Sequence, residues 1–318
     1  MRKLLTKIAV FLLLFCVSVV ASYLFDAAVV GNQFTESYQA SLIDKVERLQ
    51  SIHDPKIILI GNSNVCFGIR SEMIQDAFGM PVVNMGLHGD LGNAFHEEMV
   101  KLSLHEGDIV IVCHSDFSDN DSILDPELAW TTLEHHSEMW PLIRRQDWPK
   151  MAEGYPKYLY SAVSRWAVKY KQPEGAYFRS GFNEYGDYTE NNGKKLSYVF
   201  AQDSVLVPEI NDTCIDRLNA LNEYVSANHA ALLIAGYPIG YGEYTPDKSL
   251  YDSFERELRE KLNCAVISRY TDYFFPYQYF YNTKLHLNGE GAMLRTQQLI
   301  ADLKGWMGEN QKEILRMS

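Results

Sequence analysis

The chain has 318 residues, with 41 Asp and Glu against 29 Lys and Arg for a formal net charge of −12, and 47% hydrophobic residues. That length and apolar content suffice for one large domain or a domain with a sizeable insertion. The acidic balance excludes a nucleic-acid binder and disfavours an acidic partner, because either needs a basic face.

Arg2, Lys3 and Lys7 precede an apolar stretch, residues 8–25, interrupted only by Ser18, Ser22 and Tyr23. At ~1.5 Å per residue this run approaches the hydrocarbon thickness of a bilayer, and its basic flank predicts a cytoplasmic N-terminus with the rest of the chain outside. Residues 1–30 therefore read as a cytoplasmic tip and membrane anchor. A cleaved signal peptide is the alternative, since Val19, Val20 and Ala21 precede a possible cut; the length of the run and the lack of a clean Ala-x-Ala favour the anchor. Residues 31–55 read as a polar linker that turns helical, with Leu42, Val46 and Leu49 on one face.

Residues 56–70, KIILIGNSNVCFGIR, are the stretch around which the α/β part of the chain is organised. Four consecutive apolar residues from Ile57 predict a strand buried on both faces of a parallel sheet. Gly61 permits a tight turn, and Ser63 falls at the carboxyl end of the strand, where open α/β sheets place their ligands. Ser71 is a plausible N-cap and Gly79 a C-terminal stop for a helix beyond. A polar turn that merely solvates the chain reversal is the bland reading of the same residues.

Residues 81–86 form a second short run, ending at Gly86 and followed by His88. Residues 93–104 have helical spacing, and residues 108–113 a third strand leading to His114, Ser115 and Asp116. Strand and helix alternate, the pattern of a parallel sheet with right-handed crossovers. The chain then changes character: residues 125–195 carry four tryptophans (Trp130, Trp140, Trp148, Trp166), Pro141, Pro149 and Pro156, and a polar Gly-containing stretch around Asn183. They read as a helical and loop insertion over the sheet, able to wall a cleft, although packing alone accounts for tryptophans. The α/β pattern resumes with a helix at 212–228, a strand at 231–235, a helix at 248–262, a short strand at 265–267 and a last helix near 292–304 after His286.

In this order the residues resemble the SGNH (GDSL-like) hydrolase superfamily: Gly61-Asn62-Ser63 stands where the family has Gly-Asp-Ser, Gly86 where it has an oxyanion glycine, and His286 before the last helix where it has the general base. The resemblance implies a three-layer α/β/α fold with a mainly parallel sheet, its domain formed by residues 56–124 and 196–307, with 308–318 as a tail. It implies Ser63 as nucleophile, His286 as base, and the N–H groups of Ser63 and Gly86 as oxyanion donors. Two departures stand out. The family's Gly-x-Asn-Asp is replaced at the third strand by His114-Ser115-Asp116. Three residues before His286, where the family has Asp, stands Thr283, which leaves Asn282 as the nearest orienting group, with Asp272 as an alternative acid, and His88, or His114 with Asp116, as an alternative base. The stretch Phe182-Asn183-Glu184-Tyr185-Gly186-Asp187 is similar to Phe-Asn-x-x-Gly-Asp stretches of membrane-anchored SGNH-like proteins, and makes Asn183 a candidate for the displaced oxyanion donor, against the commoner role of a turn asparagine.

Membrane-anchored relatives include the D-alanyl transfer protein of teichoic acid modification and proteins that O-acetylate alginate. The implied function is a serine esterase or O-acyltransferase acting on an ester of a cell-envelope or secreted polysaccharide, with a membrane acyltransferase as a possible partner and no cofactor required. The alternative is a non-catalytic glycan- or partner-binding protein of the same fold. Cys16, Cys66, Cys113, Cys214 and Cys264 lack metal-ligand spacing, so no metal site is expected. Free buried thiols are the preferred reading, with Cys66 and Cys113 the couple to consider if any pair forms.

Overall fold

The computed structural model describes residues 2–118, 121–170, 177–192, 207, 209–243 and 245–317. Helix α1 (Arg2–Phe25) runs directly into a π-helical turn, Asp26–Val30. Together they are long and apolar enough to cross a membrane, and none of α1 is buried against the rest of the protein.

The expected linker is part of the folded body. Phe34, Tyr38, Leu42, Val46 and Leu49 all enter the main core, the last three from α2 (Ser41–Ser51) and Tyr38 from the turn before it. The reason is in their chemistry: five apolar or aromatic side chains within 16 positions bury favourably and leave no stretch polar enough to remain solvated.

Four strands, β1 (Ile57–Ile60), β2 (Val82–Asn84), β3 (Ile109–Val112) and β4 (Ala231–Ile234), join a short β6 (Ala265–Val266) in one parallel sheet of order β2-β1-β3-β4-β6. Ile57 pairs with Val82 on one side and Ile109 on the other. The chain thus begins near the middle of the sheet, moves one way to β2, then crosses back to β3. The reversal leaves a crevice at the carboxyl ends of β1 and β3, where ligands bind in such sheets. Both faces are dry. Ile58, Ile60, Val83, Val110 and Val112 share a core with α2, α5 (Asn93–Glu98), α8 (Asp212–Ala227) and α9 (Lys248–Lys261), whereas Ile57, Leu59, Val82, Ile109 and Ile111 meet α4 (Ser71–Phe78) and α10 (Gly289–Met317). The continuous apolar strands are explained by this two-sided burial. A two-stranded parallel ribbon of β5 (Ile239–Tyr241) and β7 (Phe274–Pro276), not foreseen from the sequence, carries the chain toward His286. The last helix extends to Met317, over residues expected to form a tail.

Between β3 and β4, helices α6 (Pro126–Leu133) and α7 (Trp148–Val168) pack on each other. Contact is close because residue 154 is glycine: a Cβ there would lie 2.5 Å from Cβ of Pro126. Residues 171–176 and 193–195 of the expected insertion lie outside the described residues, as do 196–206 of the α/β domain. The end of α1 docks on the α6–α7 pair. Ser22 Oγ is 3.2 Å from the Tyr155 hydroxyl, the rings of Tyr23 and Phe25 meet Trp140 and Trp166 edge to face, and Asp26 accepts a 3.0 Å hydrogen bond from Tyr158. All five cysteines are free, Cys66 and Cys113 both buried.

Candidate active site

Gly61 has φ +151°, and a Cβ there would come within 2.7 Å of Val65 and 3.0 Å of the Cys113 carbonyl, so the turn out of β1 requires glycine. Asn62 then caps a helix that starts earlier than the sequence suggests: α3 (Ser63–Gly68), with Asn62 Oδ1 accepting from Asn64 N–H at 3.0 Å. Ser63 is its first residue. Its own N–H has no acceptor among the described residues, as the first turn of a helix dictates. Ser71 is not a cap. It is the first residue of α4, and its hydroxyl and N–H both donate to the Asp187 carboxylate, at 2.6 and 2.7 Å.

His286 arrives on a turned-back segment. Tyr281 N–H donates to the His286 carbonyl at 2.8 Å, and Thr283 Oγ1 accepts from the N–H groups of Leu285 and His286. In that turn the imidazole faces Ser63: Nε2 lies 2.7 Å from Ser63 Oγ, and Nδ1 lies 2.8 Å from Asn282 Oδ1. A carboxamide oxygen only accepts, so it holds the proton on Nδ1 and leaves Nε2 as the acceptor for the serine hydroxyl. Asn282 Nδ2 donates in turn to the Tyr177 hydroxyl, which fixes the amide with its oxygen toward the ring. Phe67, one helical turn beyond Ser63, stacks on the imidazole at a centroid distance of 4.1 Å and an interplanar angle of 4°. Burial, reinforced by the charge of His88, lowers the His286 pKa from 6.5 to about 3, so the ring stays neutral.

The other candidates are placed elsewhere. Gly86 N–H donates to Asn84 Oδ1 at 3.0 Å and is not free for an oxyanion. Asn183 is a turn residue: its Oδ1 accepts from Tyr185 and Asp187 N–H at 3.1 and 2.9 Å, which stabilises the loop that places Asp187 under α4. Lys45, buried beneath that loop, donates to the Gly186 and Asn84 carbonyls. His114 is buried with Nε2 on Glu97, Asp116 accepts from Ser118 N–H, and Asp272 sits in a 3-10 turn, Tyr270–Tyr273, so none replaces His286 or Asn282.

Four contributors escaped sequence reasoning. Ser115, at the position of the missing asparagine, accepts from Asn62 Nδ2 at 2.8 Å and keeps its own proton to donate. Gly89 opens a 3-10 turn (Gly89–Leu91) beside Asn62, and its N–H has no acceptor among the described residues. Tyr177 and Phe67 fix the imidazole. Only Phe67 carried a readable signal, its spacing of four from Ser63. A cavity of about 570 Å³ opens over the dyad; its wall includes Phe34, Tyr38, His88, Glu127, Arg165 and Tyr177. No cluster suited to a metal ion occurs among the described residues. No protein-family model, no curated protein and no solved structure matches this chain.

Proposed function

We propose that the protein is a membrane-anchored serine esterase or O-acyltransferase of the three-layer SGNH type, its domain held outside the cytoplasm, acting on an ester of a cell-envelope or secreted polysaccharide. The observation that carries the reading is the contact of Ser63 Oγ with Nε2 of a neutral His286 whose Nδ1 is held by Asn282. Ser63 attacks the ester carbonyl as Nε2 takes its proton. The C–O bond to the leaving alcohol breaks as His286 returns that proton, and an acyl-serine remains. Water or a sugar hydroxyl, deprotonated by the same nitrogen, then takes the acyl group. The N–H groups of Ser63 and Gly89, both at the free first positions of helical turns, are the oxyanion donors, with the Ser115 hydroxyl close by through Asn62. The lack of a carboxylate leaves the imidazolium less stabilised than in a Ser-His-Asp site, which suits a slow or specialised transferase.

A fluorophosphonate probe tests the nucleophile: the wild-type protein should label and Ser63→Ala should not. Equal labelling of both, or none of either in a folded protein, removes the catalytic reading and leaves the glycan-binding one. The hydrogen-bonded dyad favours the enzyme, because a binding module has no need of a serine hydroxyl aligned on a buried, neutral imidazole.

A further inference from the structure

The contacts between α1 and α7 fix their relative direction. On α1 and its turn they run from Ser22 to Asp26, four positions or roughly 6 Å of rise; on α7 they run from Tyr155 to Trp166, eleven positions or roughly 16 Å. Helix α7 therefore lies across the end of α1. If α1 crosses a bilayer, α7 lies along its surface.

The outer face of α7 has the chemistry for that position. Ala152, Pro156, Tyr160, Trp166 and Ala167 are exposed along one side in an apolar row, bordered by Leu159 and Val163, which are half-buried and pack against the domain core. Tyr160 is 76% exposed and Trp166 42% exposed, yet no charged residue interrupts the row. The buried face, Met151, Gly154, Tyr158 and Ala162, points into the domain, and Glu153, Lys157 and Ser164 lie on the far side of the apolar row. Contacts with α1 move from Tyr158, at Asp26, to Tyr155 and Trp166, at Ser22 and Phe25, as α1 is followed back toward its middle. The apolar row is thus the side of α7 turned toward the level of the α1 apolar surface, and the two surfaces are continuous.

We propose that α7 is an in-plane membrane helix, which seats the domain on the bilayer and opens the Ser63 cavity at headgroup level. The occupant of the apolar row is lipid, because α1 exposes an unbroken apolar surface that only a bilayer covers and α7 continues it at its end. Arg165 of α7 reaches the cavity wall, its guanidinium 4.5 Å from the Phe34 ring centre, and Phe34 stands four positions beyond the end of the α1 turn. The cavity thus shares Arg165 with the helix that meets α1, which places it for an ester donor or acceptor that is itself membrane-borne.

The inference rests on the anchor reading of α1, and one experiment separates the two. Because α1 contains no tryptophan, the full chain is reconstituted in phosphatidylcholine nanodiscs with and without bromine at the shallow 6,7 acyl positions. Tryptophan emission should be quenched in the brominated discs, and Trp166→Phe should lower the quenched fraction, as expected for an indole at the interface. Circular dichroism confirms the fold, and Tyr160→Asp, at the most exposed position of the row, should also reduce quenching and provides a second variant. A chain that enters the discs but is unquenched, or is quenched as strongly in Trp166→Phe and Tyr160→Asp as in wild type, overturns the in-plane helix while leaving the anchor intact. A chain that does not enter the discs overturns the anchor and the proposal with it.

Discussion

Asn282 Oδ1 stands 2.8 Å from His286 Nδ1, four positions back in the chain, whereas Thr283, three back, turns its hydroxyl to the N–H groups of Leu285 and His286. The residue on His286 Nδ1 is therefore one place earlier than an Asp-x-x-His spacing suggests. Restoring a carboxylate at 283 would place it in the turn, not on the ring. Asn282→Asp should instead raise kcat on a simple acetyl ester, by roughly ten-fold or more, because an anion beside Nδ1 stabilises the imidazolium formed during attack. Asn282→Ala should lower kcat less than Ser63→Ala does. If Thr283→Asp activates and Asn282→Asp does not, the assignment of the orienting residue is wrong.

The pH profile is set by burial of the base. With its pKa lowered to about 3, His286 remains the competent neutral base well below pH 6.5, so kcat/KM should show no acid limb near that value. Asn282→Asp should bring one in by raising that pKa. Stability moves the other way with acid. The unfolded chain protonates this histidine below about pH 6.5 and the folded one only near 3, so the unfolded state binds more protons between those values. Stability should fall as the pH drops through that window, by up to ~1.4 kcal/mol per unit from this group. Urea unfolding of wild type and His286→Gln at pH 7 and pH 5 measures it; equal pH dependence in the two would contradict the burial of a neutral ring.

How much of the fold and site is legible in the sequence is clearest at three places. The apolar run at Ile57 and the order of Ser63 and His286 are readable because strand burial and chain order are local signals. Which glycine keeps an unbonded N–H is not: Gly86 and Gly89 both follow β2, and only the side chain of Asn84, which takes the Gly86 N–H, distinguishes them. Residues 31–55 resemble a linker because Phe34 and Tyr38 have their partners, among them Tyr158 and Phe67, more than a hundred positions away in one case and on the helix that begins at Ser63 in the other. Helical period identifies an apolar face and says nothing of what covers it.

Asn183 and Gly186 serve the loop rather than the reaction, and Gly186 can be tested directly. Its φ is +92°, and a Cβ would lie 2.3 Å from the Asn84 carbonyl oxygen, with Lys45 Nζ at 2.8 Å on the same side. Gly186→Ala should destabilise the domain by about 2–4 kcal/mol, since both the backbone and the packed carbonyl must move. Gly79→Ala, also at positive φ (+67°) but with no atom within 4 Å, should cost about 1 kcal/mol. Chemical denaturation of the two variants should rank them in that order; the reverse order would show that the 183–188 loop does not brace the end of β2.

The assignment of Gly89 as oxyanion donor yields a substitution that deletes one hydrogen. Gly89 begins a 3-10 turn, its N–H has no acceptor among the described residues, and its φ is not positive, so proline fits the backbone there. The preceding His88, at φ −64° and ψ +133°, already has the conformation that a following proline demands. Gly89→Pro should therefore fold normally and lose roughly 10²–10³ in kcat, the usual effect of removing one oxyanion donor. Gly89→Ala is the control: its Cβ would meet Asn62 Cβ at 3.5 Å, an ordinary contact, and the N–H is retained, so its kcat should stay near wild type. The proline ring also adds bulk near the nucleophile, which would weaken substrate binding and raise KM, while a lost donor acts on kcat. A folded Gly89→Pro enzyme with unchanged kcat would return the oxyanion role to Ser63 N–H and the Ser115 hydroxyl.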